Sequence, residues 1–249
     1  MIYPGVGVSP CIQSGEFSML GVADLKLWLR SDLGITLNGA DVSAWADQTA
    51  NANNALQATA GLQMAYGSGG VQGLPYLTLT GSEAMYIVDN TTLQLAAVTI
   101  FLVASDVTDS GVHNSTWLMK GEVTPSLFNY RLGRPLAAET LEVGCHNKSE
   151  FGAVWTGGAT ADVVSVGLNA TDAMTKHNGT QNTFSFAYDL RQSTHHLTIG
   201  ARHTFPAIPG GTWDRFAVGK LYEIAIVGRF PLTTTETSLI EAYLTGRYQ

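Results

Sequence analysis

The chain has 249 residues, of which 13% are charged, and a formal net charge of −7 at pH 7. Its 13 Lys and Arg residues are scattered along the sequence, which argues against a nucleic-acid-binding protein because phosphate recognition requires clustered positive charge. No apolar run reaches the length that crosses a bilayer. These properties favour one β-rich domain with many small polar residues on its surface.

Alternating apolar and polar residues predict a series of short antiparallel strands, separated by turns rich in Gly, Asn and Asp. The first strand is expected at residues 25–30, and residues 48–73 are expected to form a long surface loop with at most one weak strand. Residues 75–81 and 85–88 should pair as a hairpin. Residues 98–105 are the most apolar and should lie at the centre of a sheet. Further strands are predicted at residues 42–47, 116–119, 127–132, 141–145, 163–168, 174–178, 183–188, 197–199 and 220–227.

The only good helix signal lies near the end of the chain. Thr233 and Glu236 have the spacing of a capping box, in which each side chain accepts a hydrogen bond from the other residue's backbone amide. The following apolar residues repeat at helical spacing. The sequence therefore predicts a β-domain that is closed by one short helix, whose apolar face contains Leu239, Ile240, Tyr243 and Leu244.

The N-terminal part has a different character from the rest. Residues 1–22 contain Gly, Pro and Ser without a clear period and are expected to form an extended arm, followed by a single domain at residues 23–249. Residues 1–17 lack the basic start and apolar core of a signal peptide, which predicts synthesis in a cytoplasm. In a reducing compartment, two buried thiols at Cys11 and Cys145 are favoured over a disulfide, which stays the alternative.

Several segments, taken together and in order, match a known family. They are residues 27–32 (Leu-Trp-Leu-Arg-Ser-Asp), 42–47 (Val-Ser-Ala-Trp-Ala-Asp), 75–81, 98–103, 177–179, 197–200 and 219–227, followed by the terminal helix. On these segments the sequence resembles the concanavalin A-like lectin/glucanase superfamily, and within it the laminin-G-like jelly-roll domains of phage and bacterial surface proteins. The resemblance implies an all-β fold, a two-sheet antiparallel jelly-roll sandwich with a short C-terminal helix. It also implies that Trp28 and Trp45 are buried and that Glu223 is structural.

Catalysis has little support in the sequence. Retaining glycosidases need two carboxyl groups about 5 Å apart, which alternate residues of one strand supply. Glu139 and Glu142 are three residues apart and should face opposite sides of a strand. The chain also lacks the Gly-x-Ser-x-Gly turn of many serine hydrolases. We therefore expect a protein that is not an enzyme.

A saccharide site would need exposed aromatic rings beside polar groups. Trp155 lies between glycines, as an exposed loop aromatic often does, although burial in the core is the competing interpretation for every Trp here. The candidate ligand-binding residues are Trp117, Tyr130, His146, Trp155 and Trp213.

Calcium is the most credible ion, because lectin-like jelly rolls often bind it through loop carboxylates and amides. Asp106 and Asp109 are the candidate ligands, and no other cofactor is expected. A second group of such residues crowds the loop after the second strand. The competing interpretation is that these side chains cap their own backbone in Asx turns. The second group contains Asp41, Asp47, Asn51, Asn53 and Asn54.

The sequence alone favours a non-enzymatic lectin-like surface protein, a phage virion component such as a capsid decoration or tail accessory protein. It would be made in the host cytoplasm and lie on the virion surface. Its arm at residues 1–22 would bind other virion subunits, and its partners would include cell-surface glycans and further copies of itself. A stand-alone carbohydrate-binding module is the alternative, and a glycoside hydrolase is a less favoured one.

Overall fold

The computed structural model describes residues 17–108, 115–122, 127–134, 139–146, 148–155, 157–185, 187–190, 194–204 and 212–249. Within these ranges the chain forms nineteen strands, the α-helix α1 (Thr234–Tyr248) and four 3-10 helices, Met19–Gly21, Ala60–Leu62, Val71–Gly73 and Thr91–Leu93. No described helix is both long enough and apolar enough to span a membrane. The strands are β1 (Leu25–Arg30), β2 (Ile35–Asn38), β3 (Asp41–Trp45), β4 (Ala55–Leu56), β5 (Met64–Gly67), β6 (Tyr76–Thr80), β7 (Met85–Ile87), β8 (Val98–Thr108), β9 (Ser115–Glu122), β10 (Leu127–Arg134), β11 (Thr140–Cys145), β12 (Lys148–Val154), β13 (Asp162–Leu168), β14 (Asp172–His177), β15 (Thr180–Ser185), β16 (Leu197–Ile199), β17 (Arg202–Thr204), β18 (Thr212–Asp214) and β19 (Val218–Val227).

Hydrogen bonds join the described strands into one 17-stranded sheet, and β17 pairs with β18 in a separate hairpin. A first run of neighbours is β1-β19-β8-β13-β14-β15. A second run is β2-β3-β4-β7-β16-β9-β10-β11-β12. The all-β class with a C-terminal helix is confirmed. The expected separation into two sheets is not, because β5 and β6 bridge the runs from β3 to β19.

The main core lies between the two runs. Alternate residues of the first run, such as Ile100 and Ile224, point into it, and Leu118, Leu132 and Val143 enter it from the second run. Strands β11 and β12 accordingly lie against β14. The intervening residues of the first run face outward and form a second apolar cluster with α1. That cluster includes Met19, Trp28, Phe101, Val103, Tyr222, Ala225, Ile240, Leu244 and Tyr248.

The hairpin predicted from residues 75–81 and 85–88 is wrong. Strand β6 pairs with β5 and β19, whereas β7 pairs with β4 and β16, so consecutive strands belong to different parts of the sheet. The turn between them explains the change of direction. Gly81 has a φ of 103°, a value that favours glycine, and the Glu83 carboxylate accepts hydrogen bonds from the backbone amide and the hydroxyl of Thr80.

The loop expected at residues 48–73 contains two short strands, β4 and β5, where at most one weak strand was predicted. Its polar side chains bond to the protein itself. Asp47 accepts hydrogen bonds from the backbone amides of Trp28, Thr49 and Asn53, at 2.9 to 3.0 Å. The Asn51 amide group donates to backbone carbonyls of β1. These contacts agree with the Asx-turn interpretation of this segment.

The predicted arm at residues 1–22 is described only from Phe17 onward, and Cys11 lies outside the described residues. The Phe17 ring lies 5.8 Å from that of Tyr243 on α1, and Met19 is buried under the helix. This end of the segment therefore packs on the domain. Its predicted binding to another subunit stays a prediction.

Glu223 links the terminal helix to the first strand. Its carboxylate is 1% exposed and accepts hydrogen bonds from Trp28 Nε1 of β1 at 2.5 Å and from the Tyr248 hydroxyl of α1 at 2.7 Å. Burial raises the pKa of Glu223, and these two donors oppose the shift. Arg247 adds an ion pair to Asp32, 2.6 Å away. The Glu223 carboxylate therefore has a structural role, because it links β1 to α1.

The capping box at the start of α1 is present. Thr233 Oγ1 accepts from the Glu236 amide at 3.2 Å, and Glu236 Oε2 accepts from the Thr233 amide at 3.1 Å. The Arg229 guanidinium also binds the Glu236 carboxylate. Hydrogen bonds from Arg229 and then from Thr233 lower the pKa of Glu236 to about 2.

This cap should make stability depend on pH in the acid range. Because the folded pKa of Glu236 is lowered, its contribution is complete above its ordinary pKa of 4.5 and is lost as the pH falls towards 2. We expect Glu236→Gln, which can still cap the helix, to show a smaller drop in Tm between pH 5 and pH 2 than the parent chain. Thr234→Ala, in the same turn but without a titrating group, should keep the parental drop. Identical pH profiles for all three proteins would refute the assignment.

Candidate functional site

Several polar side chains lie on the outer face of the second run. One registered row crosses six of its strands, and its members project to the same side because directly opposed residues share a face. Leu118 and Leu132, their sequence neighbours, face the core, so the row lies outside. Five strand spacings give the row a length of about 24 Å. It consists of Tyr86, Thr198, Met119, Arg131, Gly144 and Ser149.

Arg131 lies at the centre of this face. It is 7% exposed, forms an ion pair with Glu142 on the neighbouring strand and donates to Ser149 Oγ at 3.1 Å. Burial, and then the charges of Arg215 and Arg202, together lower the pKa of Arg131 to about 9. The side chain therefore stays cationic at neutral pH.

The β17–β18 hairpin brings two more arginines to this place. Arg202 of β17 forms a two-point pair with Asp214 of β18, with Nε donating to Oδ1 at 2.6 Å. Arg215 follows directly, and its carbonyl accepts from the Thr116 amide at 2.8 Å, which attaches the hairpin to β9. We call Arg131, Arg202 and Arg215 the arginine cluster.

Aromatic rings flank the arginine cluster. Phe151 of β12 is 49% exposed and lies opposite Glu142 in the register, two residues beyond Ser149, so it projects outward. Tyr86 is half-buried at the other end of the row, where its ring lies 5.5 Å from that of His196. Sequence reasoning missed Phe151 because β12 was not predicted. Its only signal was the alternation of residues 149–151 along the strand.

Three of the five predicted ligand-binding residues lie in the core. Trp117 and Trp155 are 0% exposed, with ring centroids 5.1 Å apart, and Tyr130 is 1% exposed and donates to the Leu93 carbonyl at 3.2 Å. None of these rings presents a face to solvent, because all three lie in the main core between the two runs of strands.

The other two predicted residues are half-buried. Trp213 belongs to the hairpin that carries Arg202, and its ring packs edge-on against His203 at 4.7 Å. His146 lies directly after β11, in the turn that leads to β12. Trp213 therefore shares the hairpin with Arg202, but it pairs with His203 on the face opposite to the Arg202–Asp214 pair.

The predicted calcium ligands are not seen together. The Asp106 carboxylate lies 2.7 Å from Lys220 Nζ in an ion pair, and Asp109 lies outside the described residues. Among the residues that the structure describes, no three His, Cys, Asp or Glu side chains form a group that would hold a metal ion.

A groove of about 400 Å³ lies on the opposite side of the molecule, between β14, β15 and the start of α1. The Phe230 ring forms part of its wall. Its charged groups bond to the protein: Lys176 pairs with Glu241 at 2.7 Å, and Asp172 accepts from the hydroxyls of Thr171 and Ser185. None of the described residues that line this groove is an arginine, whereas three arginines lie at the outer face of the second run.

No family model and no curated protein matches the chain. Among solved structures, it is similar to an arabinofuranosidase complexed with arabinofuranosyl-alpha-1,2-xylobiose, at 15% identity and a TM-score of 0.58, with 84% of this chain and 51% of that chain covered. It is also similar to domain 4 of AbnA, a GH43 extracellular arabinanase from Geobacillus stearothermophilus, in complex with arabinotriose. That likeness has 15% identity, a TM-score of 0.58 and covers 87% of this chain and 98% of that one.

A third similar structure is the Trypanosoma rangeli sialidase in complex with the inhibitor DANA, at 14% identity and a TM-score of 0.54, with 90% of this chain and 33% of that chain covered. The chain thus spans about half of the arabinofuranosidase and a third of the sialidase. Likeness at this level of identity shows a shared β fold, with which a lectin-like arrangement is compatible.

These comparisons contradict the interpretation of the chain as a non-enzymatic component of a phage particle. The similar structures belong to glycoside hydrolases, so the expectation that the protein is not an enzyme is contradicted as well. The expectation that the protein is not an enzyme rested on the absence of a carboxylate pair on one strand and of a Gly-x-Ser-x-Gly turn, and the particle interpretation rested in part on the absence of a signal peptide. None of these absences distinguishes a particle protein from a domain of a carbohydrate-active enzyme.

Proposed function

We propose that this chain is a saccharide-binding domain of a carbohydrate-active enzyme, and that the outer face of the second run holds the saccharide. The observation that carries the proposal is the likeness to domain 4 of the arabinanase, which extends over 98% of a domain that is in complex with arabinotriose. We further propose that the two runs correspond to the two layers of a lectin-type jelly roll.

The chemistry of the outer face supports this proposal. Sugar hydroxyls bind planar groups that offer two donors or two acceptors, and the partly exposed Arg202–Asp214 pair provides both kinds. The apolar face of a sugar ring packs on an aromatic side chain, which the exposed Phe151 offers. A few convergent polar groups beside an aromatic surface are typical of small-ligand sites.

Phe151 provides the direct test. We expect Phe151→Ala to weaken saccharide binding about ten-fold, because the ring's contact area and stacking geometry are lost. Binding is measured by isothermal titration calorimetry, with arabinotriose and then a panel of neutral and acidic oligosaccharides. The matched control is Leu20→Ala, which removes an equally exposed apolar side chain beside α1 on the opposite side of the molecule.

The proposal fails if no oligosaccharide of the panel binds, or if Leu20→Ala and Phe151→Ala weaken binding equally. The same saccharides are incubated with the chain and analysed for released sugars. Cleavage that Phe151→Ala slows would extend the function of this face from binding to hydrolysis.

A further inference from the structure

One arginine of the cluster differs from the other two. Arg131 is paired with Glu142, and Arg202 is paired with Asp214. The half-buried guanidinium of Arg215 makes no hydrogen bond or ion pair with a residue that the structure describes. Its backbone is nevertheless held in place by the hydrogen bond from Thr116, and its φ of 52° is a conformation that few residues adopt without tertiary support.

The groups around the Arg215 guanidinium favour the binding of an anion beside it. The whole chain has a net charge of −7 and 13 basic residues, yet three arginines converge on this face. The carboxylates of Glu142 and Asp214 form ion pairs with Arg131 and Arg202, respectively. Mutual repulsion within the cluster costs free energy in the empty site, and an incoming anion would relieve it.

We infer that Arg215 binds the carboxylate of an acidic sugar residue, a uronic or a sialic acid, within a saccharide held on the outer face. This inference rests on the proposed saccharide-binding function and specifies its ligand class. A guanidinium fork matches a planar carboxylate with two parallel hydrogen bonds. The exposed Phe151 side chain lies on the same face, where it would contact the sugar ring that carries the acid.

The test compares saccharides that differ only in the acidic group or its charge. The uronic pair is tetragalacturonate and its fully methyl-esterified form, and the sialic pair is 3′-sialyllactose and lactose. Titration calorimetry is done at low and at high NaCl concentration with the complete chain. We expect the acidic member of one pair to bind about ten-fold more tightly than its neutral partner, and its affinity to fall as salt increases.

Two variants assign the effect to Arg215. Arg215→Gln should reduce affinity for the acidic saccharide about ten-fold and leave the neutral saccharide unchanged, whereas Arg215→Lys should keep part of the preference because the charge is retained. Lys26→Gln, which removes one positive charge from β1, should behave like the parent chain. Thermal unfolding of each variant shows whether it is folded.

The outcomes separate the two proposals. A preference for the acidic saccharide that disappears in folded Arg215→Gln supports the inference, and the pair that shows it identifies the uronic or the sialic source. Equal binding of acidic and neutral saccharides overturns the inference and leaves the proposed function standing. If none of the saccharides binds, this inference fails together with the proposed function.

Discussion

Replacing Arg131 by methionine is expected to lower the free energy of unfolding by about 3–5 kcal/mol, which urea denaturation would measure. The substitution removes the cation that neutralises Glu142, a carboxylate with 1% exposure, and also the donor to Ser149. A charge that is left buried without its partner is among the most costly defects of a folded protein.

The double variant Arg131→Met/Glu142→Leu distinguishes the loss of the pair from the burial of one charge. Because the double variant contains no uncompensated carboxylate, we expect it to recover most of the stability lost by Arg131→Met. If the double variant is less stable than the single one, the pair is not the source of the effect. A single variant as stable as the parent chain would show that Glu142 is solvated in solution.

Replacing Trp155 by alanine should be equally damaging, at about 3–5 kcal/mol of unfolding free energy, since it opens a cavity beside Trp117 in the core. It also removes the hydrogen bond that Trp155 Nε1 donates to the buried Asp162 at 3.0 Å. Trp155→Phe keeps most of the ring and should lose less. Thermal or urea unfolding of the three proteins provides the comparison.

The Trp155→Phe variant also tests the sequence-based prediction that Trp155 binds a ligand. A core residue affects saccharide binding only through the folded fraction, so the folded Trp155→Phe protein should bind with parental affinity. Normal stability combined with a loss of binding would instead show that the indole contacts the ligand. Phe151→Ala should give the opposite pattern, with reduced binding and little change in stability.

The elements that sequence patterns located well are those with strong local signals. Strand β1 and strand β16 have the predicted bounds, β8 is central between β13 and β19, and the capping box of Thr233 and Glu236 starts α1. In each case the local sequence is enough to identify the element, either by apolar residues at every second position or by a helix cap.

The candidate site was far less predictable, because distant segments build it. Arg131, Glu142 and Arg215 meet only through the pairing of β10 with β11 and the attachment of the β17–β18 hairpin to β9. Register of this kind is set by tertiary contacts and bulges, such as those in β10, rather than by local pattern. Glycine neighbours suggested an exposed Trp155, yet burial depends on the layer packed above it.

The connection between β1 and the C-terminal segment has a consequence for synthesis. Trp28 and Glu223 are 195 residues apart, so at about 5–20 residues per second β1 leaves the ribosome roughly 10–40 s before its strand partner and its helix. During that interval β1 lacks the strand with which it pairs and the helix that covers its outer face. Closure of the domain therefore waits for β19 and α1, and the nascent chain stays vulnerable to aggregation until they appear.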